Sequence, residues 1–195
     1  MNSDGAARKR QGGQALVEFA VGSIILIILL TGLLDVSRAY HTAIGLQGAA
    51  RAGARHGAYF SATGSQNQYL DDTDIKSAVD AVLAGDQLPN SVLKTGCIAG
   101  TDSNSWLNPP YANSAYPAGS NQPWLYICYD TQGTKVTSVT TPPAAGATTY
   151  TGKDLLVVIL SRYGLIGGLS TEYLKSGGSL TNIALTAFQH FAVQG

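Results

Sequence analysis

The sequence predicts an α+β protein: a long N-terminal transmembrane and stalk helix packed on a small antiparallel β-sheet domain. Three observations carry this. The segment Ala15 to Leu34 is apolar except for Glu18, and helical periodicity continues past it. No proline occurs before Pro89. Downstream, runs of strand-forming residues alternate with turn-rich loops.

Residues 1–13 read as a short polar leader carrying Arg8, Lys9 and Arg10. The twenty residues from Ala15 to Leu34 make about 30 Å of helix, one hydrocarbon thickness. An Ile/Leu tract such as 24–30 suits lipid better than the surface of a soluble domain. The basic cluster before the span is denser than Arg38 and Arg51 after it, which sets the N-terminus in the cytoplasm. The rest then lies across the membrane. A secretory signal fits poorly, because the apolar core exceeds the usual 7–15 residues and Thr31-Gly32-Leu33-Leu34-Asp35 is a poor exit site. The competing route cuts before the core, at Gly13, and leaves it on the mature chain.

Beyond the span, Val36, Tyr40, Ala43, Leu46, Ala50 and Ala54 recur at steps of three or four and make one face. Ala49, Gly53 and Gly57 form a ladder of small residues that lets another element approach closely. The helix is therefore expected to cover residues 14–60, with 15–34 in the membrane and 35–60 as an amphipathic continuation. The domain is expected over 61–195.

In that domain, Asp71-Asp72-Thr73-Asp74 opens a short amphipathic helix with Ile75, Val79, Val82 and Leu83 inward and Gly85 as its stop. The aspartates do not match a spaced calcium loop and read as capping and dipole partners. Strands are expected at 91–98, 124–129, 135–140, 155–162 and 180–192. Those at 124–129 and 155–160 are apolar on both faces, as central strands are. Segments 101–123 and 141–151 read as loops.

Formal charge balances at twelve basic and twelve acidic side chains. It divides into six basic against three acidic before residue 61 and six against nine after it. The acidic domain argues against nucleic acid as a partner. No hydrolase, zinc-protease, Walker or dinucleotide-binding pattern is present, so no catalysis, cofactor or metal site is expected. Cys97 and Cys128 lack metal-site spacing. In an exported domain they make a disulfide, the alternative being two separate buried thiols. Trp106, Tyr111, Tyr116 and Trp124 belong to an aromatic-rich segment, 106–129, that could bind a polysaccharide or protein surface. The alternative is that these rings pack the segment onto the sheet.

Glu18 forces a choice on physical grounds. A carboxylate in lipid finds a cation or takes up a proton. A cut after Gly13 would give Gln14 a charged amine one helical turn away. That amine, from the same or a neighbouring copy in a staggered bundle, is the natural partner.

The segment Gly13-Gln14-Ala15-Leu16-Val17-Glu18-Phe19 resembles the processing site of type IV prepilins. With Asp35-Val36-Ser37-Arg38-Ala39-Tyr40 and the box Ala49-Ala50-Arg51-Ala52-Gly53-Ala54-Arg55, it is similar to the TadE-like family, minor pilins or pseudopilins of tight adherence (Tad/Flp) systems. The similarity covers about residues 8–60. It implies cleavage after Gly13 by a prepilin peptidase, a subunit-registration role for Glu18, and partners among other pilins and the inner-membrane assembly platform. The residue exposed by cleavage would be Gln14, not the phenylalanine of type IVa pilins. The exported part is far larger than that of the major Flp pilins, which implies a minor or tip-proximal component. The alternative is a permanently anchored adhesin-like module using the aromatic segment.

Overall fold

The computed structural model describes residues 4–59, 69, 71–95, 98, 111–118, 122–131, 134–136, 153–165 and 182–193. Helix α1 spans Asp4–Gly57 and α2 spans Asp72–Gly85. The strands are β1 Val92–Leu93, β2 Trp124–Thr131, β3 Thr134–Val136, β4 Asp154–Gly164 and β5 Asn182–Ala192. A single 3-10 turn occupies Asn113–Ala115. The chain divides into two units, Met1–Arg38 with Leu165–Leu180, and Ala39–Gly164 with Thr181–Gly195. The class is α+β, as expected.

In the first unit α1 is an unbroken helix whose apolar side chains stay outside. Leu16, Phe19, Ile25 and Leu29 are all exposed, Phe19 to 75%. Among the described residues α1 is the one helix long and apolar enough to cross a membrane. The hydroxyls of Ser23 and Thr31, within the apolar run, are satisfied on its own turns. Ser23 donates to the Ala20 carbonyl at 2.8 Å, and Thr31 donates to those of Ile27 and Ile28 at 3.0 and 2.9 Å. A helix in lipid requires this, because no water is there to take those protons.

In the second unit the last turns of α1 pack on α2 and one face of the sheet. The contact is made by small residues. Ala49, Ala50 and Ala54 are fully buried beside Leu46. A Cβ at Gly53 would sit 2.5 Å from Val79 Cγ2, and one at Gly57 would sit 2.5 Å from Ile75 Cδ1 and 2.6 Å from Leu155 Cδ2. Helix and sheet could not approach this closely with any larger residue. Of the face that periodicity suggests, Leu46, Ala50 and Ala54 lie inside, whereas Val36 and Tyr40 are exposed.

Helix α2 starts as capping chemistry dictates. Asp71 Oδ1 accepts from the Thr73 and Asp74 N–H groups at 3.1 and 3.0 Å. Ile75, Val79 and Leu83 are buried, and Val82 is half-buried against the core. The chain leaves through Gln87 in the left-handed region at φ 58°.

The sheet runs β1-β2-β4-β5, with β3 folding back on the end of β2. It is mixed, which corrects the all-antiparallel expectation. β2, β4 and β5 pair antiparallel, but β1 pairs parallel to β2, with Val92 opposite Trp124 and Leu93 opposite Leu125. The connection between β1 and β2 is long enough for a parallel crossover, which a tight turn would forbid. The strand expected at 91–98 is reduced to two residues, and that expected at 135–140 is described as Thr134–Val136.

Both faces of the sheet are covered. Leu125, Ile127, Leu155, Val157, Ile159 and Ala187 face the helices. Tyr126, Cys128, Leu156, Val158 and Leu160 form a second core with Ile98, Tyr111 and Tyr116. β4 is therefore central and buried on both sides from Leu155 to Leu160, as its continuous apolar run predicts.

Candidate functional site

The pre-span segment lies wholly on α1. Gly13, Gln14 and Glu18 are exposed, and a Cβ at Gly13 would meet nothing within 4 Å. The Gln14 side-chain amide donates to Glu18 Oε1 at 3.3 Å, one turn along the same helix. Glu18 thus sits beside the residue whose backbone nitrogen cleavage would free. Asp35, from the second motif, is buried, and both it and Arg38 are engaged.

The box Ala49–Arg55 divides by side. Ala49, Ala50, Gly53 and Ala54 are the buried contact to the domain, while Arg51 and Arg55 project from it, exposed. Its small residues build the fold and its arginines do not.

The aromatic residues offered as a binding surface are mostly core. Tyr111 and Tyr116 are 5% and 8% exposed. Tyr116 shares a 2.6 Å hydrogen bond with Thr186 Oγ1, and its ring lies 5.9 Å from the Arg162 guanidinium carbon. Burial, and secondarily the neighbouring Tyr116, pushes the Tyr111 phenol up to about 12. Both side chains cover the apolar outer face of β2 and β4, the packing alternative for these two rings. Trp124 is half-buried, with Lys94 Nζ 4.0 Å above its ring. Trp106 lies outside the described residues.

Cys128 is fully buried on β2, and no described cysteine is a free thiol. Cys97 lies outside the described residues.

One polar cluster escaped the sequence reading. Asp72 is buried at the start of α2, and Tyr129 donates its hydroxyl to Asp72 Oδ1 at 2.5 Å. Tyr69 packs edge-on against Tyr129, ring centroids 5.1 Å apart at 81°. Burial pushes the Tyr129 phenol well above the usual tyrosine range, and the charge and hydrogen bond of Asp72 push it further. The signal was present as an acid beyond the one needed to cap α2. At the helix's other side, burial would raise the Asp80 carboxyl. Hydrogen bonds from Lys76 and from the Ser91 hydroxyl and N–H outweigh that and hold it low. The Tyr129–Asp72 bond fastens α2 to β2, and the Ser91–Asp80 bonds fasten it to the residue before β1; no described group of three or more His, Cys, Asp or Glu could hold a metal.

Comparison with known families matches residues 13–55 to the model described as TadE-like protein. No curated protein and no solved structure matches the chain. The matched stretch begins at Gly13, includes Glu18 and ends at Arg55 of the box. A family of this kind is pilin-like and pilus-associated, and the apolar helix fits a membrane-anchored member of it. Over residues 13–55 the helical segment of this chain is thus similar to the TadE-like family.

Proposed function

We propose that this chain is a minor pilin or pseudopilin of a Tad-type pilus. It is made as a single-pass inner-membrane precursor with its N-terminus in the cytoplasm. Residues 1–13 are its leader, removed after Gly13 by a prepilin peptidase; residues 14–60 become the membrane and stalk helix; residues 61–195 form the extracytoplasmic domain. The trimmed helix then joins, or primes, an assembly with other pilins on the inner-membrane platform, and the pilus serves surface adherence. The role is structural, not enzymatic.

A single observation carries this reading: a lone carboxylate, Glu18, stands five residues after Gly13 on an unbroken helix with exposed apolar side chains. A charge at the centre of a span costs about 2.5–3.5 kcal/mol by insertion scales; nearer the edge the cost is smaller, and a partner offsets what remains. The freed Gln14 amine of the same or an adjacent copy supplies one. We also propose a Cys97–Cys128 disulfide, which would clip the segment before the second core to β2.

Replacing Glu18 by Ala tests the registration role. Membrane insertion of the precursor should persist while pilus assembly falls to a small fraction of wild type. Normal piliation in that variant would remove Glu18 from the account. The permanently anchored adhesin-like reading would have to rest on aromatic residues other than Tyr111 and Tyr116, which are buried.

A further inference from the structure

The arginines of the Ala49–Arg55 box are left over by the fold and by the processing chemistry. They line a groove of about 630 Å³ on the outer side of α1, with Gly48, His56 and Tyr59 beside them and Ala78 of α2 opposite. A second depression of about 370 Å³ shares Gly48 and Arg51 and continues along α1 to Ile44 and Tyr40. From Tyr40 to its end at Gly57 the helix advances by roughly 25 Å, about five turns. All of it lies in the second unit.

Three properties of this groove point outward. Its polar end is basic: no described acid pairs with Arg51, Arg55 or His56. Its other end is apolar and open, with Tyr40 69% and Ile44 55% exposed. Its floor is bare without structural need. A Cβ at Gly45, Gly53 or Gly57 would come within 2.8, 2.5 or 2.5 Å of a neighbour, so packing accounts for those glycines. At Gly48 the nearest atom would be Val82 Cγ1 at 3.7 Å, an ordinary contact. Gly48 therefore leaves depth at the centre of the groove rather than room for the core.

We propose that this groove docks an amphipathic helix of a partner protein, apolar over Tyr40 and Ile44 and carrying carboxylates over Arg51 and Arg55. The match is of charge, form and length: a trough about five turns long, hydrophobic at one end and cationic at the other, accepts a helix patterned in the opposite sense. A second copy of this chain is a poorer match. Its α2 turns its apolar side into the core, and its helix beyond the apolar run carries the single acid Asp35 against Arg38, Arg51 and Arg55. The inference stands apart from cleavage at Gly13 and survives if that reading fails.

The test uses the full chain in detergent and two fluorescent synthetic helices. Both carry a Leu/Ile stripe; one bears three Glu at one end and its twin bears Lys there. The acidic helix should bind, weaken with added salt, and lose at least about tenfold in affinity with Arg51→Glu plus Arg55→Glu. Gly48→Leu should cause a similar loss without lowering the melting temperature, since its Cβ fits. Equal binding of both helices, or unchanged affinity in the variants, overturns the proposal. So does a disulfide-linked homodimer of Gly48→Cys in membranes, which would give the groove to a second copy.

Discussion

Gln14 reaches Glu18 along one turn of α1, its amide nitrogen 3.3 Å from the carboxylate oxygen. The pair is at the long end for a hydrogen bond and joins a neutral donor to an acid. Side-chain pairs of this spacing stabilise a helix by about 0.2–0.5 kcal/mol. A carboxylate in hydrocarbon costs several times that. The side-chain amide alone therefore leaves most of the cost of Glu18 uncovered. A charged amine on the same residue, or on the neighbouring copy, would form a charge-assisted bond about twice as strong as a neutral one.

The two kinds of glycine on α1 should respond oppositely to substitution. Gly53→Val drives a branched side chain into Val79 Cγ2, 2.5 Å from the position of its Cβ. It should destabilise the domain by about 2–3 kcal/mol. Gly48→Ala meets only an ordinary contact and should gain roughly 0.5–1 kcal/mol from helix propensity. Denaturant titration of the two variants checks the pair, and similar losses in both would contradict this packing.

Tyr129 should make the domain sensitive to alkali. Its folded pKa, like that of Tyr111, lies above the ordinary value of 10.0. The folded state therefore holds protons that the unfolded chain releases. Stability from these groups is intact below about pH 10 and falls as pH rises beyond it. Tyrosinate absorbance should climb in two stages, exposed rings first and the buried ones with unfolding. Tyr129→Phe should remove part of the alkaline dependence. It should also cost about 1–3 kcal/mol at neutral pH, by stripping Asp72 of this donor.

Reduction should weaken the proposed Cys97–Cys128 bridge. A loop of that length contributes roughly 3–4 kcal/mol in the chain-entropy model. A melting temperature insensitive to reductant, with two thiols titrating in the unfolded chain before reduction, would show the cysteines to be separate.

The parts of this fold written in local patterns were legible. The apolar run, the Asp71 cap, the period of α2 and the doubly apolar strand β4 each follow from residues within a few positions of one another. What long-range pairing decides was not. The parallel β1–β2 register depends on where a long connection returns, which no window of residues encodes. The aromatic segment has the composition of a binding loop, yet Tyr111 and Tyr116 are recruited by the apolar outer face of β2 and β4. Asp72 read as a dipole partner because its contact, Tyr129, is 57 residues away. In the candidate site, Gly13, Gln14 and Glu18 were legible as a motif. The groove was not, because Ala78 comes to it from another helix.

The most direct test is the mass of the chain's N-terminus after expression with a prepilin peptidase. The account predicts a polypeptide that begins at Gln14 and retains the apolar helix with Glu18. An intact N-terminus, or a cut beyond Leu34, would contradict it.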